Sequence, residues 1–194
     1  MPVRRAAAVL LIAASATACG FADGGGPSAG TPATAGQSGA GPSSRPAARA
    51  LPFGTGSRWS DTDSDGSHIS GTTTVMGYRQ PAKSVSLPDE ASGIPDPDWA
   101  VLDVKFCAAT DSTNVIVAQA PWSLRYADGT RIAAPRITSR GVAEPLYSVA
   151  GTAVRPGTCY RGKITFSVRH GSRPSGVVYD VDSRDPVEWT VPKA

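Results

Sequence analysis

The chain has 194 residues, of which 40% are hydrophobic and 18% charged, with 19 basic against 16 acidic side chains. So near a balance gives no electrostatic reason to expect nucleic acid as a partner. Lysine is rare among the basic residues (Lys83, Lys105, Lys163 and Lys193). With the excess of Ala, Gly and Pro, that bias points to a GC-rich coding sequence such as an actinobacterial one.

Arg4 and Arg5 give the chain a positive start, an apolar run follows over residues 6–14, and Ala16-Thr17-Ala18-Cys19 closes it. This is the layout of a secretion signal with a small-residue cleavage site. With Cys19 as the first mature residue it resembles the lipobox of bacterial lipoproteins, whose cysteine sulfur takes a diacylglyceryl group before cleavage. Ala16 stands where that pattern prefers Leu, and Ala16-x-Ala18 also satisfies ordinary signal peptidase, which would leave a secreted protein. The run is about half of the ~20 apolar residues a spanning helix needs. The expectation is therefore a signal peptide over 1–18 and a mature chain held at the extracellular face of the cell membrane by acyl-Cys19. Two or more chains on one cysteine hold firmly, where a single one holds marginally.

Residues 19–57 are built largely from Gly, Ala, Ser, Thr and Pro. Such a segment cannot bury enough apolar surface to offset the entropy of ordering, so a disordered tether is expected there. A flexible chain of that length spans about 35 Å on average.

From Arg58 the pattern changes to short runs of period two, and the domain is expected over 58–194. Asp61, Asp63 and Asp65 before Gly66 resemble the start of a calcium loop, since hard cations want several oxygen ligands around a sharp turn. The resemblance stops at the eighth position, His68, and the twelfth, Thr72, where such a loop has Glu. The competing reading is a solvated acidic turn. A second acidic stretch, Asp89-Glu90 to Asp98, reads as a Pro-rich loop that could lend distant ligands to the first.

Strands are expected over 68–76, 99–108, 114–120, 122–126, 131–132, 160–168, 177–181 and 187–191. The clearest has Leu102, Val104 and Phe106 alternating with Asp103, Lys105 and Cys107. In the 160–168 run Ile164, Phe166 and Val168 alternate with Lys163, Thr165 and Ser167. Asp128-Gly129 and Pro156-Gly157 are turns. About seven short strands without an amphipathic helix predict an all-β, immunoglobulin-like β-sandwich.

Once Cys19 is acylated, Cys107 and Cys159 remain as a pair, and an oxidising exterior favours a disulfide between them over two buried thiols. Both share parity with the polar face of their strands. The disulfide is thus expected between neighbouring strands, on the outside of one sheet.

Residues 99–106, 123–129 with Asp128-Gly129, and 155–168, where Pro156-Gly157 leads into Gly162-x-Ile164-x-Phe166-x-Val168, resemble a family of immunoglobulin-like domains. That family occurs in exported lipoproteins of Gram-positive bacteria. It is labelled telomeric-repeat-binding-factor-2-like and is related to a mycobacterial extracellular immunoprotective antigen. The resemblance covers about 67–192 and departs from the family at Cys107, where Asn is usual, and at Cys159. It implies an accessory or binding module and supplies no catalytic residues.

No Gly-x-Ser-x-Gly elbow accompanies His68 and His170, and no pair of carboxylates stands out, so hydrolytic chemistry ranks third among the functional readings. Of the four tryptophans, Trp99, Trp122 and Trp189 fall in strands, where core packing is the common use. Trp59 is expected to be exposed. The leading expectation is a surface-anchored lipoprotein that presents a non-catalytic domain to an envelope protein or wall polymer, with no cofactor. The alternative is a calcium- or ligand-binding module on Asp61, Asp63 and Asp65.

Overall fold

The computed structural model describes residues 49–182 and 184–193. The expected signal peptide, Cys19 and most of the expected tether lie outside them. Ten strands form in chain order: β1 (Gly56–Thr62), β2 (His68–Arg79), β3 (Pro97–Ala108), β4 (Val115–Val117), β5 (Trp122–Arg125), β6 (Arg131–Ala133), β7 (Thr152–Val154), β8 (Cys159–Arg169), β9 (Gly176–Tyr179) and β10 (Val187–Thr190). One turn of 3-10 helix covers Asp89–Ser92. Among the described residues no helix is long and apolar enough to cross a membrane.

Two four-stranded antiparallel sheets, ordered β1-β2-β3-β8 and β10-β9-β5-β6, face each other, and β4 pairs with β7 in a small ribbon. Period-two patterning explains the core. Leu102, Val104 and Phe106 of β3 and Ile164, Phe166 and Val168 of β8 point inward and are buried. From the other sheet Trp122, Leu124, Val177 and Trp189 meet them. The rings of Trp122 and Trp189 lie 6.0 Å apart, in the range where aromatic pairs attract beyond their buried area.

β3 also buries Trp99 and Val101, which share parity with its polar residues. Val101 packs with Ala82 and Ala143, and Trp99 with Leu87 and Val142, so two loops cover this half of the sheet's outer face. Ala82 donates its N–H to the Trp99 carbonyl (2.7 Å), and the Ala143 N–H reaches Thr165 Oγ1 (3.1 Å). The consecutive apolar run from Trp99 to Leu102 is the sequence mark of a strand buried on both faces.

Cys107 and Cys159 sit directly opposite in the β3–β8 ladder and form a disulfide, with Cα atoms 4.0 Å apart. Their neighbours Ala108 and Thr158 make a ladder hydrogen bond (3.0 Å), so the cysteines occupy the close, non-hydrogen-bonded kind of pair. Cys159 is exposed, and the bond lies on the outer face, as parity requires. The one register shift recorded between the strands is in β2, between Val75 and Gly77, away from the cysteines.

The domain begins earlier than composition suggests. Leu51 bridges in parallel to Trp189, Phe53 packs against the core, and β1 starts at Gly56, inside the expected tether. Hydrogen bonding outweighs composition here: Leu51 both donates to Glu188 O and accepts from Thr190 N (each 2.8 Å), and Trp189 Nε1 donates to Thr55 O.

A cleft at one end of the sandwich and a hydrogen-bonded hub at the other

The three carboxylates read as a calcium loop are in the hairpin between β1 and β2. The Asp63 N–H donates to Ser67 O (2.8 Å), and Gly66 takes φ of 84°, which glycine adopts without strain. Each carboxylate serves its own turn. Asp61 Oδ1 accepts from Thr62 N, Asp63 Oδ1 from Ser64 N, and Asp65 Oδ1 from Ser67 N. The Ser67 contacts hold the Asp65 carboxyl below its ordinary value. Among the described residues no three His, Cys, Asp or Glu side chains converge as a metal site would require. Alternating Asp residues before Gly also suit a turn, where their short side chains accept from nearby backbone N–H groups.

Nor does the second acidic stretch approach the first. Asp98 lies at the start of β3, and the β1–β2 hairpin lies beyond its far end, roughly 30 Å of strand away. Asp98 is instead the centre of a polar network. Gln80 Nε2 donates to Asp98 Oδ2 (3.2 Å) and to Ser172 O (2.6 Å), while Tyr78 donates its hydroxyl proton to Gln80 Oε1 (2.7 Å). His170 Nδ1 faces Asp98 Oδ1 at 3.0 Å. Gln80 chiefly, with His170 and the Gly171 N–H, holds the Asp98 carboxyl below its usual value, and Asp98 in turn raises the His170 imidazole. No hydroxyl or thiol among the described residues bonds to the other nitrogen of His170, as a nucleophile would.

Trp59 is not the exposed ring expected from its position. It is half-buried, stacked on Phe106 (5.5 Å between centroids), with Nε1 donating to Thr73 Oγ1 (3.0 Å). Gly71, opposite Trp59 in the ladder, makes the stack fit: a Cβ there would lie 2.5 Å from the Phe106 ring. The Arg184 guanidinium sits 3.8 Å from the centre of the Trp59 ring, within the range of cation–π attraction.

Around this pair the ends of β1, β4 and β9 enclose a cleft of about 440 Å³. Ile69, Val115, Ile116 and Tyr179 supply apolar wall, and Asp61 and Asp63 stand on its rim. Burial raises the Tyr179 phenol, an effect Arg184 partly offsets. The Arg184 Nε proton is buried without a hydrogen bond, its nearest carboxylate oxygen being Asp61 Oδ2 at 3.7 Å. Ile116 is 67% exposed, the most exposed large hydrophobic among the described residues. An apolar cleft with an oriented arginine and an unsatisfied donor has the composition of a ligand- or partner-binding pocket. Sequence reasoning passed over Ile116, although Val115 and Val117 on its flanks imply that it faces outward. Arg184 carries no sequence signal, because it acts through a contact made only in the fold.

The two facing antiparallel sheets make this an immunoglobulin-like β-sandwich, with its disulfide inside one sheet and not across the core. No protein-family model and no curated protein matches the sequence. Among solved structures the chain is similar to MPT63, a secreted protein from Mycobacterium tuberculosis, with a TM-score of 0.52 and 20% identity. The match covers 74% of this chain and 99% of MPT63, and at that identity it carries the fold.

Proposed function

We propose that this chain is an exported, non-catalytic binding domain, held at the outer face of the cell membrane through acyl-Cys19, which engages an envelope protein at the cleft beside Ile116. The cleft carries this reading. An aliphatic side chain left two-thirds in water, beside a stacked Trp–Arg pair and a half-buried tyrosine, has the composition of the anchor residues that dominate protein interfaces. The leader expected over residues 1–18, the disulfide and the secreted status of MPT63 support an extracellular location. The partner inserts an apolar side chain into the cleft and offers an acceptor to Arg184 Nε, and the acyl anchor keeps that face within reach of the envelope.

Two measurements test the two halves. Cys19→Ser is expected to shed the protein into the medium, and a variant still retained at the membrane overturns the anchor. A photo-crosslinking residue at position 116, on intact cells, is expected to yield a discrete adduct that one at position 130, at the other end of the sandwich, does not. Identical adducts from both positions, or none from 116, overturn the docking face.

A further inference from the structure

At the end of the sandwich opposite the cleft, a second cavity of about 390 Å³ opens between the β5–β6 hairpin, the end of β8 and the loop that carries Ile94. Its walls are mainly apolar, with Ile94, Tyr126 and Ile132 the large contributors. Ile132 packs against the main core, but Ile94 belongs to none of the three core clusters. Polar contacts hold Ile94 in place. Ser92 Oγ accepts its N–H (3.0 Å) and donates to its carbonyl (2.8 Å), and Ser167 Oγ donates to Ser92 O (3.3 Å). Two residues on, Asp96 takes φ of 46°, a left-handed conformation unusual outside glycine, and its carbonyl receives the His170 N–H. The loop thus fixes a half-buried isoleucine against a cavity rather than into a core. Strained backbone persists only where its surroundings over-determine it, and such sites cluster where ligands bind.

The polar groups are few and placed at one side. The Tyr126 hydroxyl is buried facing Ser172 but makes no hydrogen bond of good geometry. Arg169 lines the same cavity. Arg125, Arg131, Arg161 and Arg184 each stand beside a carboxylate, whereas the Arg169 guanidinium has no ion pair or side-chain hydrogen bond among the described residues. The other charge in the lining, Asp128, is engaged by its own turn. It accepts the Thr130 N–H (2.9 Å), which holds it below its usual value, so it stays ionised and turns an anionic head toward Arg169. An apolar floor, one uncommitted guanidinium and one buried hydroxyl match a ligand with a hydrocarbon body and a single anionic head.

We propose that this cavity binds a single-tailed anionic amphiphile, with its chain on Ile94, Tyr126 and Ile132 and its carboxylate or phosphate on Arg169. The site is separate from the cleft beside Ile116, and the inference stands whether or not that cleft docks a protein.

Calorimetric titration of the full mature chain, carrying Cys19→Ser, with decanoate below its micelle concentration tests this. Saturable sub-millimolar binding is expected for decanoate and decyl phosphate, with decyltrimethylammonium at least tenfold weaker. Arg169→Gln should weaken decanoate at least tenfold without moving the melting temperature, Ile94→Asp should abolish binding, and Ile116→Asp should leave it intact. Failure of decanoate to saturate, equal affinity for the cationic probe, or full affinity in Arg169→Gln overturns the proposal. So does binding to phosphatidylglycerol vesicles with none to the monomers, which would place recognition at a bilayer surface.

Discussion

At Asp98 and His170 a single contact links stability to pH in two directions. The His170 imidazole, raised by Asp98 above the ordinary histidine value of about 6.5, stabilises the folded chain below about that pH, and the contribution is lost as pH rises through the folded value. The Asp98 carboxyl, lowered from 3.8, stabilises the fold above about that pH and loses its contribution as pH falls through the folded value. The pair is therefore most favourable between roughly pH 4 and 6.5. An NMR titration is expected to give His170 a midpoint above 6.5, which Asp98→Asn lowers. A midpoint unmoved by that change would show the contact to be absent in solution. Gly71 makes a different demand, for space. Gly71→Ala puts a methyl into the Phe106 ring and within 2.6 Å of Cys107 O, and is expected to cost about 1–3 kcal/mol in thermal or urea unfolding.

Among the elements, β3 and β8 were the most legible in the sequence, because their alternation of apolar and polar residues is regular enough to place both cysteines on one outer face. β1 was not. Its run of Gly56-Ser57-Arg58-Trp59-Ser60-Asp61-Thr62 has one large apolar residue, and as an edge strand it needs only one side chain to reach the core. The outer covering of β3 was half-legible: the run from Trp99 announces two-sided burial, but which loops supply the second layer depends on contacts far apart in the chain. In the candidate cleft, Trp59 and the acidic turn could be singled out in advance. Their true partners, Phe106, Thr73 and Arg184, are set by register and by a loop. The outer-face position of the disulfide also fixes what its loss should do. It closes a separation of 52 residues, worth about 4 kcal/mol in the chain-entropy model. Replacing both cysteines with Ser is expected to lower the melting temperature while the near-ultraviolet signal of the packed tryptophans survives. Loss of that signal at low temperature would mean that the bond holds the core itself.

Across the described domain, the cleft beside Ile116 and the Asp98 network lie at opposite ends of the sandwich. The carboxylates of Asp61, Asp63 and Asp65 each accept from a nearby backbone N–H, and Asp61 also faces Arg184, so the melting temperature is expected to be the same in chelator and in millimolar calcium. A site occupied at 100 times its dissociation constant would add about 2.7 kcal/mol. A rise of that size, abolished by Asp63→Asn, would establish the metal reading.

The parallel bridge of Leu51 to Trp189 has a mechanical consequence. Leu51, among the first described residues, lies alongside the last strand of the domain. A pull along that strand strains the two Leu51 hydrogen bonds together, in shear, instead of peeling them one after the other. Trp189, pinned through its indole N–H to Thr55 and buried in the core, shares the load. Tension applied at Leu51 is thus passed into the tryptophan-filled interior before it can unzip an edge.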